Sequence, residues 1–201
     1  MNIKTHIVNL MALVIIAFIF SLALVGRSEA KTYIVIGQSN AYQMANEWDI
    51  IKPDDTIINC GHNGQKIVTF LPNYDEKTFY GSCLKQAWMR PIDAIIFWQG
   101  ESDARNINDA KAWSGNATTV IRSLRQDLNS NIPVVMMILN NLPHDKTLLT
   151  GWWVIREAQK QFNAPFLKKI DSSIYEFEIG NIHLTPYGYD TLINDISALK
   201  L

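Results

Sequence analysis

The sequence predicts an α/β protein, a three-layer α/β/α sandwich around a mostly parallel five-stranded sheet. Three observations carry this expectation. Short apolar runs alternate with longer stretches of helical spacing along the chain, the pattern of parallel strands joined by helical crossovers. Asp93-Ala94-Ile95-Ile96-Phe97-Trp98 is apolar at nearly every position, as in a strand covered on both faces. The polar stretches 37–40, 61–65 and 99–103 each follow a strand-like run. In such sheets ligands bind beyond the carboxyl ends of the strands, so these three loops are expected to gather there.

The elements follow in order. Thr32-Tyr33-Ile34-Val35-Ile36 is the first strand, and the chain turns at Gly37. A helix is expected from about Asn40, with Ala41, Met44 and Ala45 along it. Residues 56–60 form the second strand and 61–65 its exit loop. Residues 79–89 have helical spacing, with Leu84, Ala87 and Trp88 on one side, and Arg90-Pro91 stops them. Residues 93–98 are the third strand. A long helix is expected from about Asp109 to Leu128, with Gly115 marking a start or break near its middle. Residues 133–139 form the fourth strand, followed by a turn at Asn140-Asn141-Leu142-Pro143. Residues 151–162 form a helix, 166–170 a short fifth strand, and 186–199 a final helix with Pro186 in its first turn.

Residues 1–30 stand outside this pattern. Lys4 and His6 precede an apolar run from Ile7 to Val25, and Ser28-Glu29-Ala30 has small residues at the first and third positions of a cleavage site. This reads as a secretory signal peptide cut after Ala30. It leaves 31–201 as one domain and puts the protein in the periplasm or outside the cell. An uncleaved membrane anchor is the alternative, because the run approaches the ~20 residues that span a bilayer. The net charge is −1, and no basic stripe argues for nucleic acid. Cys60 and Cys83 either pair, as an exported protein allows, or are two buried thiols. Neither has the spacing of a zinc site, and no metal or cofactor is expected.

Ser39 stands at a strand-to-helix turn, where the N–H groups of the first helical turn point at whatever sits before it. It is either a nucleophile or an N-cap. An activated serine needs a base, an orienting acid and donors for an oxyanion. Beyond residue 30 the histidines are His62, His144 and His183. His183 precedes the last helix, where a loop can return it to the serine. His62 lies in a strand-exit loop and competes for the role, while His144 follows a turn. The backbone N–H groups of Ser39 and Gly64 and the Gln99 amide are candidate oxyanion donors.

Gly37-Gln38-Ser39-Asn40, then Trp98-Gln99-Gly100-Glu101-Ser102-Asp103, then Ile182-His183-Leu184-Thr185 with Gly188-Tyr189 resemble the sialate O-acetylesterase-like branch of the SGNH hydrolases. That branch includes the carbohydrate esterases acting on acetylxylan. The resemblance implies a flavodoxin-like sandwich, Ser39 as nucleophile, His183 as base, and Gly64 and Gln99 as oxyanion donors. Gln38 and Asn40 flank the serine and are counted with them as oxyanion or substrate contacts. SGNH enzymes commonly carry an Asp three residues before the His, and Gly180 stands there. Glu101 is therefore the first candidate for the acid, with Glu178 and Asp171 as alternatives. The implied activity is removal of acetyl groups from an acetylated carbohydrate, without metal or cofactor. A lipid or thioester hydrolase, an acyltransferase and a glycan-binding protein with a degenerate site are the alternatives.

Overall fold

The apolar runs fold as strands β1 (Thr32–Gly37), β2 (Thr56–Gly61), β3 (Ala94–Trp98), β4 (Val134–Ile138) and β5 (Leu167–Asp171). The helices between and after them are α1 (Ser39–Ile51), α2 (Phe79–Ala87), α3 (Ile107–Asp127), α4 (Leu149–Gln161) and α5 (Pro186–Ala198). The computed structural model describes residues 30–129, 131–141 and 149–201. The signal-peptide and anchor readings, His144 and part of the turn after β4 fall outside the described residues. Among the described residues, no helix is long and apolar enough to cross a membrane.

The sheet order is β2-β1-β3-β4-β5, and every neighbouring pair is parallel. Side chains alternate across it. Ile34, Ile36, Ile95, Phe97, Val134 and Met136 join one buried cluster with residues of α2, α3 and α4. Tyr33, Val35, Ile96, Trp98, Val135 and Met137 join the other with residues of α1 and α5. The result is the expected three layers. β3 and β4 are buried at every position, which accounts for their unbroken apolar runs. β2 and β5 are the edge strands, and the exposed Lys168 and Lys169 of β5 discourage pairing with another chain.

Register places the site. Gly37 pairs with both Gly61 and Trp98, so β1, β2 and β3 end at one level and their exit loops meet. The strand order reverses beside β1, which makes this the switch point where doubly wound sheets bind ligands.

Two expectations are adjusted by packing. α3 runs without a break through Gly115 and starts two residues earlier than expected. Gly115 faces open space, while Ala110, Trp113, Ala117, Val120, Ile121 and Leu124 form a continuous buried stripe on the other side. That burial outweighs the ~1 kcal/mol a helical glycine costs. The alternative left open for the cysteines is also resolved. Cys60 and Cys83 form a disulfide, tying the end of β2 to α2.

Candidate active site

The turn after β1 is built for close approach. Gly37 has φ +146°, and a Cβ there would lie 1.7 Å from the Trp98 carbonyl oxygen. Glycine alone lets the chain cross β3 so tightly. α1 begins at Ser39 itself, with Gln38 in the capping position. The Ser39 hydroxyl is therefore not an N-cap; its oxygen lies 2.8 Å from His183 Nε2. His183 is carried by a small hairpin. Phe177 and Leu184 form an antiparallel bridge, and Glu178 N–H donates to the His183 carbonyl at 2.9 Å. Thr185 then caps α5, accepting from Gly188 N–H at 3.0 Å.

Asn40 fastens these pieces together. Its Nδ2 donates to Glu101 Oε1 at 2.8 Å and to the Ile182 carbonyl at 2.9 Å. Its Oδ1 accepts from the Tyr189 hydroxyl at 2.9 Å. One buried amide thus joins the serine turn, the β3 exit, the histidine hairpin and α5. Gln38 adds a second link, accepting the Ser102 N–H at 2.9 Å on its Oε1. Both residues belong to the site's frame. Asn40 has neither amide hydrogen left for an oxyanion.

Two sequence expectations are corrected here. Gln99 does not offer its amide to the cavity. Its two Nε2 hydrogens go to the Gln65 carbonyl at 3.1 Å and Asp103 Oδ2 at 2.8 Å, while its Oε1 accepts from Trp113 Nε1 at 2.7 Å. Gln99 braces the β2 exit loop against the β3 exit loop. Glu101 makes its hydrogen bond to Asn40, not to His183. Of the alternative acids, Asp171 is engaged by Arg156 at 2.5 Å and by Ser173. Glu178 is exposed and hydrogen-bonds the Asn181 side chain. It acts on His183 only through its charge, which partly opposes the larger effect of burial. Ser39 and His183 thus form a contacting pair, and among the described residues no carboxylate hydrogen-bonds the imidazole. Burial holds the His183 pKa below the ordinary 6.5, which favours the neutral ring that a general base requires.

Glu101 is buried, and its Oε2 has no partner among the described residues. Burial raises its carboxyl to about 7, with Asn40 opposing the shift. Ser39, His183 and Glu101 line one cavity of about 320 Å³ together with Gly64. Gly64 has φ +68°, and its N–H makes no hydrogen bond within the described residues. His62, the competing base, is absent from the cavity wall; it stacks on Phe79 with ring centroids 3.7 Å apart. Sequence reasoning missed Gln43, Asn63 and Arg105, which also line the cavity. Gln43 lies one helical turn beyond Ser39, a spacing that could have flagged it; Arg105 closes a short helical turn, Asp103–Arg105, that no sequence period announces.

A serine and a histidine in contact at this edge of a 2-1-3-4-5 parallel sheet define a hydrolase fold of the SGNH type. The chain belongs to the carbohydrate esterase, sialic acid-specific acetylesterase family, whose model matches residues 43–197. A probable carbohydrate esterase of Arabidopsis thaliana is 29% identical over 97 residues, covering 47% of this chain and 34% of that protein. Its crystal structure has a TM-score of 0.61 at 22% identity, over 77% of this chain and 64% of that one. A carbohydrate acetylesterase from Xanthomonas citri has a TM-score of 0.58 at 20% identity, over 78% and 38%. A lipolytic G-D-S-L family protein from Veillonella parvula has a TM-score of 0.56 at 16% identity, over 86% and 98%. The sequence match thus spans about a third of the plant relative's length.

Proposed function

We propose that this protein is an exported serine esterase that removes O-acetyl groups from carbohydrate. The observation that carries the proposal is the 2.8 Å contact between Ser39 and His183 inside a cavity at the switch point of a carbohydrate-esterase fold. His183 takes the hydroxyl proton as Ser39 attacks the acetyl carbonyl. The N–H groups of Ser39 and Gly64 hold the tetrahedral oxyanion. His183 then protonates the departing sugar oxygen, and water, activated by the same ring, releases acetate from the acyl-enzyme. Glu101 holds Asn40, and Asn40 holds the hairpin that carries His183. Every step uses protein groups and water. Export follows from the signal-peptide reading of residues 1–30.

Acetate release from an acetylated xylo-oligosaccharide and p-nitrophenol release from its acetate ester test the proposal with residues 31–201. Ser39→Ala and His183→Ala are each expected to remove ~10⁴-fold or more of the rate. The acid limb of the pH profile is expected below the ordinary histidine value of 6.5. A folded parent whose turnover equals that of Ser39→Ala on both substrates would overturn the reading.

A further inference from the structure

We infer that Arg105 is the specificity residue of this site, a receptor for a carboxylate on the substrate, so that the sugar taken is an acidic one of the hexuronic-acid type. The inference rests on reading the Ser39–His183 cavity as an esterase site. Arg105 lines that cavity. It is exposed and, among the described residues, has no hydrogen-bond or ion-pair partner.

The acids of its own segment all face elsewhere. Glu101 accepts from Asn40. Asp103 accepts from Ile67 N–H and Gln99. Asp109 pairs with Lys66 at 2.7 Å. Among the described residues, Arg105 is therefore not one member of a structural ion pair, and none of their carboxylates neutralises its charge.

The backbone beneath it is fixed. Ala104 N–H donates to the Gly100 carbonyl at 3.0 Å and Asn106 N–H to the Asp103 carbonyl at 3.1 Å. The Ala104 carbonyl lies against Gly151, where a Cβ would approach within 2.2 Å. A guanidinium on a rigid base loses less freedom on binding, and its planar fork matches a carboxylate through two parallel bonds.

The rest of the wall sets the ligand's charge and size. Gln38, Gln43, Asn63 and Ser102 are neutral and polar, suited to hydroxyl groups. One cation balances one negative charge. A phosphate monoester carries nearly two, and the excess would sit in the same cavity as Glu101. About 320 Å³ lies at the lower end of small-ligand sites and suits a single sugar unit.

The test compares kcat/KM for acetylated methyl glucuronoside, methyl glucoside and methyl glucoside 6-phosphate in the parent, Arg105→Gln and Arg105→Lys. The parent is expected to favour the glucuronoside over the glucoside about tenfold. That ratio should fall to about one in Arg105→Gln, be partly kept in Arg105→Lys, and narrow at about 1 M salt through screening. A merely structural role would lower both substrates together and leave the ratio unchanged. A second arm titrates unacetylated methyl glucuronoside and methyl glucoside into Ser39→Ala and Ser39→Ala/Arg105→Gln by NMR. Charge-dependent binding that vanishes without Arg105 upholds the inference even if no acetate is ever released. Equal turnover of glucuronoside and glucoside, with a ratio indifferent to Arg105, overturns it and leaves the esterase reading standing. A preference for the phosphate, or binding in the second arm indifferent to charge, also overturns it.

Discussion

Glu101 and Asp103 lie two residues apart on the segment leaving β3, and both are buried. They differ in what meets their oxygens. Asp103 accepts from Ile67 N–H on both oxygens, at 3.2 and 3.0 Å, and from Gln99 Nε2 at 2.8 Å. Glu101 accepts one side-chain bond, from Asn40, and its second oxygen is unpartnered among the described residues. Burial pushes both carboxyls up; Gln99 and Ile67 oppose the shift at Asp103, while Glu101 reaches about 7. Depth alone does not decide what a buried carboxylate does. With its donors supplied it is a brace. With one oxygen left over at the cavity wall it is poised between charge states.

Removing the brace is expected to have the largest effect. Asp103→Ala leaves the Ile67 N–H and a Gln99 hydrogen unpaired in the interior, at a cost of ~3–5 kcal/mol. For a chain of this size that corresponds to a drop in Tm of roughly 10 °C, readable by calorimetry. Next comes the other carboxyl. Glu101→Ala frees Asn40 and is expected to lower kcat/KM ~10- to 100-fold, whereas Glu101→Gln, which still presents an oxygen to Asn40, should stay within about threefold. A loss of ~10⁴ in Glu101→Gln, the size seen when a triad's orienting acid is removed, would break the comparison by making Glu101 the partner of His183.

Gln99 belongs with Asp103 in this division. Gln99→Met is expected to reduce Tm while keeping kcat within about tenfold. An oxyanion donor would instead lose ~10²–10³ in kcat. The smallest effect is a pH-dependent one. The Glu101 carboxyl rises from 4.5 to about 7 on folding, so the folded state holds a proton that the unfolded chain releases. Stability is therefore lost as pH rises between those values, and the loss is complete above 7. Parent and Glu101→Gln should have similar Tm at pH 4.5, with the variant ahead by several degrees at pH 8.

The three layers were legible because they rest on periodicity. Unbroken apolar runs mark β3 and β4, and the helical stripe of α3 persists through Gly115. That the loops holding Ser39, Gly64 and Glu101 share an edge was legible for a related reason, since polar loops after parallel strands gather there. That His183 and not His62 meets Ser39 was carried by the resemblance of its motif, because position alone left both histidines open. The acid was not. Glu101, Asp103, Asp171 and Glu178 are chemically alike in a sequence, and which donor each one meets depends on contacts between distant segments. The Glu101–Asn40 bond spans 61 residues. Gln99 misled for the same reason. Its motif is visible in sequence, but the indole of Trp113 and the carboxylate of Asp103 that claim its amide are not. Arg105 went unnoticed because a lone arginine in a polar loop has no pattern to read.

The disulfide has a further consequence. Cys60 is bonded to Cys83 on one side of the loop 61–66, and on the other side Ile67 N–H is gripped by Asp103. The intervening residues, Asn63 and Gly64 at the cavity among them, run between two anchors that do not depend on their identity, and the brace from Gln99 meets the backbone carbonyl of Gln65 rather than a side chain. The loop is in effect a cassette. Replacing Asn63 and Gln65 while keeping His62, Gly64 and Lys66, which carry the Phe79 stack, the positive φ and the Asp109 ion pair, would reshape one wall of the cavity and should leave Tm within a few degrees, so substrate preference and folding can diversify separately.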